Sequence, residues 1–383
     1  MSRPARAERD RAAFVLVESA FRQNLAHIAE VAARAEVEII LALKAFSFWP
    51  AFDIAREYLP GATASSLNEA RLVREHFGAA PHVYCPAYLP HEFGELAGMA
   101  GPLTFNGLGE LERYRSQWQA AGASAGLRVN PLYSPVATAL YNPASPTGRL
   151  GVHIDQLPPK PPAGLAGVHV HTLCESSAEA TATLVGTVED KLAAWLPRLQ
   201  WLNLGGGHLL TRDGYDTELL VRTLRDLHAR HPRLRLTLEP GSAHAWRAGY
   251  LEAHVLDVVT NGGRRTAMLD VSFTCHMPDT LEMPYKPEVR GARHVDATAP
   301  QGEHDYDLGG LSCLAGDYIA GFRFAEPLAV GDRVRFEDML HYTTVKTTTF
   351  NGVPHPDLAI ERPDGRIEVV RSFTFEDYEA RLG

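Results

Sequence analysis

Short apolar runs alternate with amphipathic stretches along the chain up to about residue 240. The segments between most of the runs have the helical period, as in residues 215–230, where Leu220, Leu224 and Leu227 fall on one face. The apolar runs are typical of buried strands. They comprise residues 14–17, 38–43, 82–85, 103–105, 126–130, 167–170, 201–204 and 235–239. Strands that alternate with helices predict parallel strands with crossover helices, so we favour a (β/α) barrel over an open doubly wound sheet.

The pattern changes after about residue 246. From there on, runs of β type are separated by glycine and proline turns, and they are LEAHVLDVV, RTAMLDVSF, DRVRFEDM and RIEVVRSFTF. This predicts an α/β protein with a barrel domain over residues 19–245 and a mostly β domain over residues 246–383. We expect the latter to include an N-terminal strand within residues 12–18.

Composition limits the class of protein and of ligand. With 383 residues, of which 45% are hydrophobic and 22% charged, the chain can bury a large core. A net charge of −9 with scattered Lys and Arg argues against nucleic acid or a membrane as partner and favours a small cationic ligand. The N-terminus lacks the apolar segment of a signal peptide, so we expect a cytoplasmic protein. The four cysteines form no C-x-x-C pair and are expected to be free thiols.

The first of four chemical candidates is Lys44, which ends the run IILALK. Barrel enzymes gather their chemistry at the carboxyl ends of the strands. There a partly desolvated ammonium has a lowered pKa and can form a Schiff base with a carbonyl compound. The alternative is a lysine whose stem lies along the rim and whose ammonium reaches water.

The second candidate is the pair His169 and His171 in GVHVHTLCE. Alternate residues of a strand face the same side. The pair could bind a metal, place one imidazole against an aromatic ligand, or form hydrogen bonds in the core. A metal site would need further ligands, for which His208, His276 and Asp270 are available.

The third candidate is the triplet Gly205, Gly206 and Gly207 in LNLGGGHLL. A glycine turn after a strand can close backbone N–H groups on an anion, usually a phosphate. The triplet is neither G-x-G-x-x-G nor a P-loop, so a compact phosphate-bearing ligand is expected rather than a dinucleotide or nucleoside triphosphate. The alternative is a tight turn without a ligand.

The fourth candidate is Glu239, which ends a strand and is followed by Pro240 and Gly241. A carboxylate at the barrel mouth can hold a proton on a ring nitrogen, and the alternative is a rim carboxylate paired with an arginine. The four candidates together supply an amine for an aldehyde, a turn for a phosphate, an imidazole for a ring face and a carboxylate for a pyridine nitrogen. These are the requirements of pyridoxal 5′-phosphate.

Longer strings between about residues 12 and 360 then carry a family resemblance. The chain resembles carboxynorspermidine decarboxylases, also called carboxyspermidine decarboxylases, through LALKAFSFWP, HVHTLCE, WLNLGGGH, LEPG, CHMPDTLEMPY, DLGGLSCLAGD and HYTTVKTTTFNGV. The resemblance implies the alanine-racemase-like fold of type III pyridoxal phosphate enzymes. That fold has an N-terminal (β/α)8 barrel, a C-terminal β domain and active sites shared across a homodimer.

The resemblance also implies a role for each cofactor-binding residue. Lys44 of ALKAF would bond to the cofactor aldehyde, and His171, the second histidine of HVHT, would stack on the cofactor ring. Glu239 would contact the pyridine nitrogen. The phosphate would be bound by two glycine turns and a tyrosine, namely Gly205, Gly206, Gly207, Gly241 and Tyr342.

The implied reaction is decarboxylation of carboxynorspermidine or carboxyspermidine to norspermidine or spermidine in polyamine biosynthesis. Cys313 of SCLAGD would come from the neighbouring subunit and return a proton to Cα. Asp279, Glu282 and Asp317 would contact the substrate, the first two through its distal amines. The negative net charge suits such a polycation.

One departure from the family affects the substrate. After EPG the family has Glu then Ala, whereas Ser242 follows here, so a different amino acid could be the substrate. Two other functions stay open. One is a metal-dependent barrel hydrolase built on His169, His171 and His208, and the other is a pyridoxal phosphate-binding protein without decarboxylase activity.

Overall fold

The computed structural model describes residues 10–383 and divides the chain into two compact units. The barrel unit comprises Arg22–His244, and the β unit comprises the described residues up to Phe21 together with Ala245–Gly383. Each unit is built on a sheet of its own. No helix among the described residues is both long and apolar enough to cross a bilayer.

Strands and helices alternate through the barrel unit, and strands predominate in the β unit. In chain order the strands are β1 (Ala13–Val17), β2 (Glu38–Ile39), β3 (Leu41–Ala42), β4 (Ala62–Ala64), β5 (His82–Tyr84), β6 (Pro102–Phe105), β7 (Ser124–Asn130), β8 (Val152–His153), β9 (Gly167–His169), β10 (Trp201–Asn203), β11 (Arg235–Leu238), β12 (Gly249–Asn261), β13 (Arg264–Leu269), β14 (Ala292–His294), β15 (Asp305–Gly309), β16 (Tyr318–Phe324), β17 (Arg333–Glu337), β18 (Asp357–Glu361) and β19 (Ile367–Arg371). The α-helices are α1 (Glu18–Ala35), α2 (Phe52–Ala55), α3 (Leu67–Leu72), α4 (Phe93–Met99), α5 (Leu108–Arg113), α6 (Arg115–Ala120), α7 (Ala178–Lys191), α8 (Thr217–Arg230), α9 (Ser242–Ala245), α10 (Phe273–His276), α11 (Asp279–Glu282) and α12 (Phe375–Leu382). A π-helical turn (Val73–Phe77) extends α3, and short 3₁₀ turns occur at Trp49–Ala51, Ala139–Tyr141, Ile154–Gln156, Leu196–Arg198 and Phe350–Gly352.

The strands of the barrel unit close on themselves. β2 and β3 are two parts of one strand interrupted at Ile40, and they pair on opposite sides, β2 with β11 and β3 with β4. The sheet order β2-β11-β10-β9-β7-β6-β5-β4-β3 therefore returns to its first strand, and every pair in it is parallel. The predicted (β/α)8 barrel is confirmed.

One barrel strand, β4, was not among the predicted runs. Its sequence, Ala-Thr-Ala, is buried but too short and small to give an apolar run. The run at residues 14–17 is β1, which pairs with β12 and β18 in the sheet of the β unit.

The predicted helical face at residues 215–230 is α8. Asp216 caps it by accepting a hydrogen bond from the N–H of Leu219 at 2.8 Å. Leu220, Leu224 and Leu227 are buried, as their spacing predicts.

The β unit contains a mixed sheet in the order β14-β16-β15-β13-β12-β1-β18-β19, with β17 paired to β12. Phe273 and Phe336 are fully buried and pack edge to face with their ring centroids 5.7 Å apart. The predicted run at residues 265–273 is strand only as far as Leu269. Helix α10 begins at Phe273 because the Ser272 hydroxyl caps it by accepting from the N–H of Cys275.

Candidate active site

The four candidates of the barrel unit lie just beyond the carboxyl ends of parallel strands. Lys44 follows β3, His171 follows β9, Gly205 follows β10 and Glu239 follows β11. Because all these strands run in one direction, their carboxyl ends meet at one mouth of the barrel. The contacts described below bring the four residues together there.

His171 lies between Lys44 and the glycine turn. Its Nδ1 accepts a hydrogen bond from the N–H of Gly206 at 2.7 Å, and its Nε2 lies 3.5 Å from Nζ of Lys44. Burial, with the neighbouring charge of Lys44, lowers the pKa of His171 well below its usual value. The imidazole is therefore neutral, with its proton on Nε2, on the side of the lysine amine.

Burial likewise lowers the pKa of Lys44, and it outweighs the attraction of the Glu239 carboxylate. The nearby cation of Arg128 lowers this pKa further. The lysine stays half-buried at the mouth, so its amine is neutral more often than an ordinary lysine and can be reached. A neutral, reachable amine is what Schiff-base chemistry requires.

Glu239 is ionised although it is largely buried. Its Oε1 accepts a hydrogen bond from Asn203 Nδ2 at 2.6 Å, whereas Oε2 lies 3.6 Å from Nε2 of His169, too far for a hydrogen bond. Burial raises the pKa of Glu239, but the contacts with His169 and Asn203 outweigh it and lower the pKa to about 2. Burial also lowers the pKa of His169, so the pair is a carboxylate beside a neutral imidazole.

The glycine triplet is required by the packing of the barrel itself. A Cβ at Gly205 would lie 2.6 Å from Cβ of His171, and one at Gly206 would lie 2.4 Å from the carbonyl oxygen of Glu239. A Cβ at Gly207 would lie 2.2 Å from the backbone of Leu173. Gly205 and Gly207 also have positive φ angles of 68° and 90°. The turn therefore requires glycine at these positions, because its backbone lies close to the ends of two neighbouring strands.

The N–H groups of the turn are partly used by the protein. Gly205 donates to Asn203 Oδ1 at 2.8 Å and Gly206 donates to His171. The N–H of Gly207 has no acceptor among the described residues. Phosphate binding by the turn stays a prediction. Within the turn, the N–H of Gly207 is the donor that would serve it first.

Arg128 and Glu69 are further charged groups near Lys44 that the sequence analysis missed. The Arg128 guanidinium lies 4.7 Å from the centre of the Tyr84 ring and donates to the carbonyl of His171 at 3.2 Å. Glu69 Oε2 accepts from the N–H of Ser65 at 2.6 Å, and burial raises the pKa of this carboxyl. An arginine inside an apolar run and a glutamate three residues after a helix-capping serine were the available signals.

Cys313 and Asp317 belong to one loop of the β unit. The Cys313 side chain is exposed, and its N–H donates to Asn351 Oδ1 at 2.8 Å. Asp317 is buried, and its carboxylate accepts from the N–H groups of Thr274 and Ser312, both at 3.0 Å. Asp317 therefore holds the loop that carries Cys313, and its contact with substrate stays a prediction.

Asp279 and Glu282 both contact the ammonium group of one lysine, Lys346. The Lys346 ammonium contacts a carboxylate oxygen of Asp279 and lies 3.2 Å from Glu282 Oε2. Burial lowers the pKa of Lys346, but these hydrogen bonds outweigh it and raise the pKa. Both carboxylates are thus paired with an ammonium of the protein itself, and their contact with substrate stays a prediction. Lys346 was missed in the sequence.

The roles of three other predicted positions stay predictions. Tyr342 is half-buried in the β unit, with a positive φ of 56°. Gly241 and Ser242 are buried, and Ser242 begins α9.

The candidate metal ligands do not converge. His208 Nδ1 pairs with the Thr181 hydroxyl at 3.0 Å, and Asp270 pairs with His254 at 2.8 Å. Within residues 10–383 no group of three or more His, Cys, Asp or Glu side chains could hold a metal ion. The metal-dependent hydrolase has no ligand set in this part of the chain.

Comparison with known proteins adds independent findings. The family described as pyridoxal-dependent decarboxylase, C-terminal sheet domain, matches residues 14–339. The chain is 50% identical to a carboxyaminopropylagmatine decarboxylase of Synechocystis sp., over 97% of this chain and 95% of that protein. It is 36% identical to a carboxynorspermidine/carboxyspermidine decarboxylase of Campylobacter jejuni, over 96% of this chain and 97% of that protein.

Solved structures show the same similarity. The crystal structure of carboxynorspermidine decarboxylase from Campylobacter jejuni complexed with norspermidine matches with a TM-score of 0.88 and 34% identity, over 97% of this chain and 100% of that chain. Diaminopimelate decarboxylase from Helicobacter pylori complexed with L-lysine matches with a TM-score of 0.80 at 17% identity, over 98% of this chain and 97% of that chain, and shows the shared fold.

Proposed function

We propose a substrate and a division of roles for this chain, which belongs to the pyridoxal-dependent decarboxylases that carry a C-terminal sheet domain. It is a decarboxylase and its cofactor is pyridoxal 5′-phosphate. The proposed substrate is a carboxylated polyamine, with an α-amino acid at one end and a cationic aminoalkyl tail. The observation that carries this proposal is identity of 35 to 50% over nearly the full chain with decarboxylases named for such substrates.

The groups at the barrel mouth fit this cofactor. Lys44 supplies an amine of lowered pKa for the aldehyde, His171 a neutral imidazole, and Glu239 an ionised carboxylate whose Oε2 has no hydrogen bond from the described residues. When bound, the cofactor supplies an electron-poor ring that stabilises the negative charge left on Cα as CO2 departs. Glu239 would hold the proton on the ring nitrogen, because an ionised carboxylate favours the protonated ring.

In the proposal, Cys313 returns a proton to Cα and is contributed by a second copy of the chain. The loop around it supports a role at an interface. Leu311, Leu314 and Phe350 are exposed by 38%, 47% and 48%, although large apolar side chains usually avoid water. We therefore propose a homodimer. In it, the barrel domain of one subunit (residues 19–245) receives Cys313 from the β domain of the other subunit (residues 246–383).

Between the candidate substrates, we place carboxyaminopropylagmatine first. The chain shares 50% identity with the decarboxylase named for it and 36% with that of Campylobacter jejuni. Ser242, where the resemblance leads us to expect glutamate, is consistent with a tail of different chemistry. A guanidinium spreads its charge over five N–H donors and can bond to neutral acceptors such as a hydroxyl, whereas an ammonium is a compact point charge that a carboxylate neutralises directly. Carboxynorspermidine and carboxyspermidine are the second candidates. They are supported by the 36% identity with the Campylobacter jejuni decarboxylase and by the similar structure complexed with norspermidine.

The test is CO2 release from purified, cofactor-loaded enzyme. The substrates are carboxyaminopropylagmatine, carboxynorspermidine, carboxyspermidine, meso-diaminopimelate, ornithine, arginine and lysine, each compared by kcat/KM. We expect carboxyaminopropylagmatine to be best and Ser242→Glu to shift the ratio towards carboxynorspermidine. Lys44→Ala is the inactive control and should also lose the visible absorbance of the bound cofactor. A preference for meso-diaminopimelate or a simple amino acid would overturn the assignment.

A further inference from the structure

Asn203 is the last residue of β10 and makes two hydrogen bonds at the barrel mouth. Its Nδ2 donates to Glu239 Oε1 at 2.6 Å, and its Oδ1 accepts from the N–H of Gly205 at 2.8 Å. The side chain is buried, with 4% exposure. One amide thus joins the carboxylate at the end of β11 to the turn at the end of β10.

We propose that Asn203 is a positioning residue that fixes the Glu239 carboxylate for the ring nitrogen of the cofactor while it holds the glycine turn. The inference rests on the proposed function in one respect, namely that Glu239 meets that nitrogen. In this inference Asn203 acts through Glu239, since both of its side-chain hydrogen bonds go to the protein.

The direction of each hydrogen bond is fixed by its partner. The Gly205 N–H can only donate, and an ionised Glu239 can only accept, so the amide oxygen must face the turn and the amide nitrogen the carboxylate. Oε1 is then occupied, and Oε2 lies 3.6 Å from Nε2 of His169. The asparagine amide supplies an acceptor and a donor in one short, rigid group.

An aspartate at position 203 would separate the two contacts. It would keep an acceptor for the N–H of Gly205 and would place a second carboxylate against Glu239. Two carboxylates at hydrogen-bond distance cannot both ionise, so the pair would retain a proton. Asn203→Asp is thus the sharpest perturbation, because it tests the link to Glu239 and leaves the link to the turn.

The measurement is cofactor affinity as a function of pH, by titrating cofactor-free protein with pyridoxal phosphate. In the parent protein Glu239 stays ionised, so it gives no acid limb above about pH 4. For Asn203→Asp we expect an acid limb that begins at least about two pH units higher, because the proton that the pair retains occupies Glu239 for part of the time.

A double-mutant cycle distinguishes positioning from mere packing. In Glu239→Gln the carboxamide can donate to an aspartate at 203, so the added Asn203→Asp change should cost less than about twofold in affinity. Asn130→Asp is the matched control. Asn130 is also a buried barrel asparagine, which accepts from the N–H of Leu132 and donates to the Ser145 carbonyl. It should lower thermal stability without moving the acid limb.

The outcomes separate the two proposals. Equal pH profiles for the parent and Asn203→Asp, or additive losses in the cycle, would overturn the positioning role even in an active decarboxylase. Absence of decarboxylation of any carboxylated polyamine would overturn the substrate assignment, while the binding profiles would still test Asn203. A higher acid limb that Glu239→Gln suppresses would support the inference.

Discussion

Gly206→Ala tests whether the glycine triplet serves the protein or the phosphate. The new Cβ would lie 2.4 Å from the carbonyl oxygen of Glu239 and 3.3 Å from Cε1 of His171. The carbonyl is part of the backbone, and the N–H of Glu239 is bonded to the Gly205 carbonyl at 2.8 Å. The clash therefore cannot be relieved by rotating a side chain.

Overpacking of this kind costs about 1 to 3 kcal/mol. For a unit of this size, each kcal/mol lowers the melting temperature by about 2 to 4 °C. We expect the cofactor-free variant to melt about 5 °C below the parent protein. The backbone φ at Gly206 is not in the left-handed region, so steric contact is the main cause.

Thermal unfolding of the cofactor-free protein is the first measurement, and titration with pyridoxal phosphate and with pyridoxal is the second. A steric cause lowers the affinity for both ligands, because His171 and Glu239 are displaced. The matched control is Gly186→Ala in α7, where a Cβ would meet nothing within 4 Å. It should be neutral or stabilise by up to about 1 kcal/mol. An unchanged melting temperature, with affinity lost only for the phosphorylated ligand, would refute the steric reasoning.

The remaining predictions concern amines, histidines and the acidic pair of α11. Because burial lowers the pKa of Lys44, reductive methylation of cofactor-free protein at neutral pH should modify Lys44 faster than the exposed Lys160, and equal rates in peptide mass spectrometry would contradict this. Burial lowers the pKa of His208 to about 4 and of His276 to about 3. In the unfolded chain a histidine has its ordinary pKa of 6.5, so the unfolded chain binds protons before the folded protein does as the pH falls. Each histidine should therefore lower the free energy of unfolding by about 1.4 kcal/mol between pH 7.5 and pH 5.5. Urea unfolding measures this loss, which should be smaller by about 1.4 kcal/mol in His276→Asn. Lys346→Met frees both carboxylates of α11 and should lower KM for the polyamine several-fold with kcat unchanged; an unchanged KM would exclude these carboxylates from the tail site.

The sequence predicted the elements whose burial leaves an uninterrupted apolar run. It missed β4 because Ala62–Ala64 is buried by its neighbours rather than by its own bulk. It placed Lys44 and Glu239 at one barrel mouth because the ends of parallel strands share an edge, which requires only element order. These successes depend on local pattern and chain direction alone.

The contacts it missed depend on register and on long-range pairing. Asn203 is opposite Thr237 in the parallel pair β10 and β11, and this alignment brings its amide to the carboxylate two residues beyond Thr237. Lys346 meets Asp279 across 67 residues of chain. No periodicity encodes either distance, since both follow from how complete strands and loops pack.

The same register explains why the barrel mouth needs bare backbone at one strand end. Lys44 follows β3 and Glu239 follows β11, which pairs with the other part of the same strand, so the groups around them must approach closely to act on one small ligand. A side chain at Gly206 would push apart the His171 ring and the Glu239 carbonyl, which both lie against it. Close packing of the turn and close placement of the chemical groups are therefore one requirement, and a substitution that relieves the first should loosen the second.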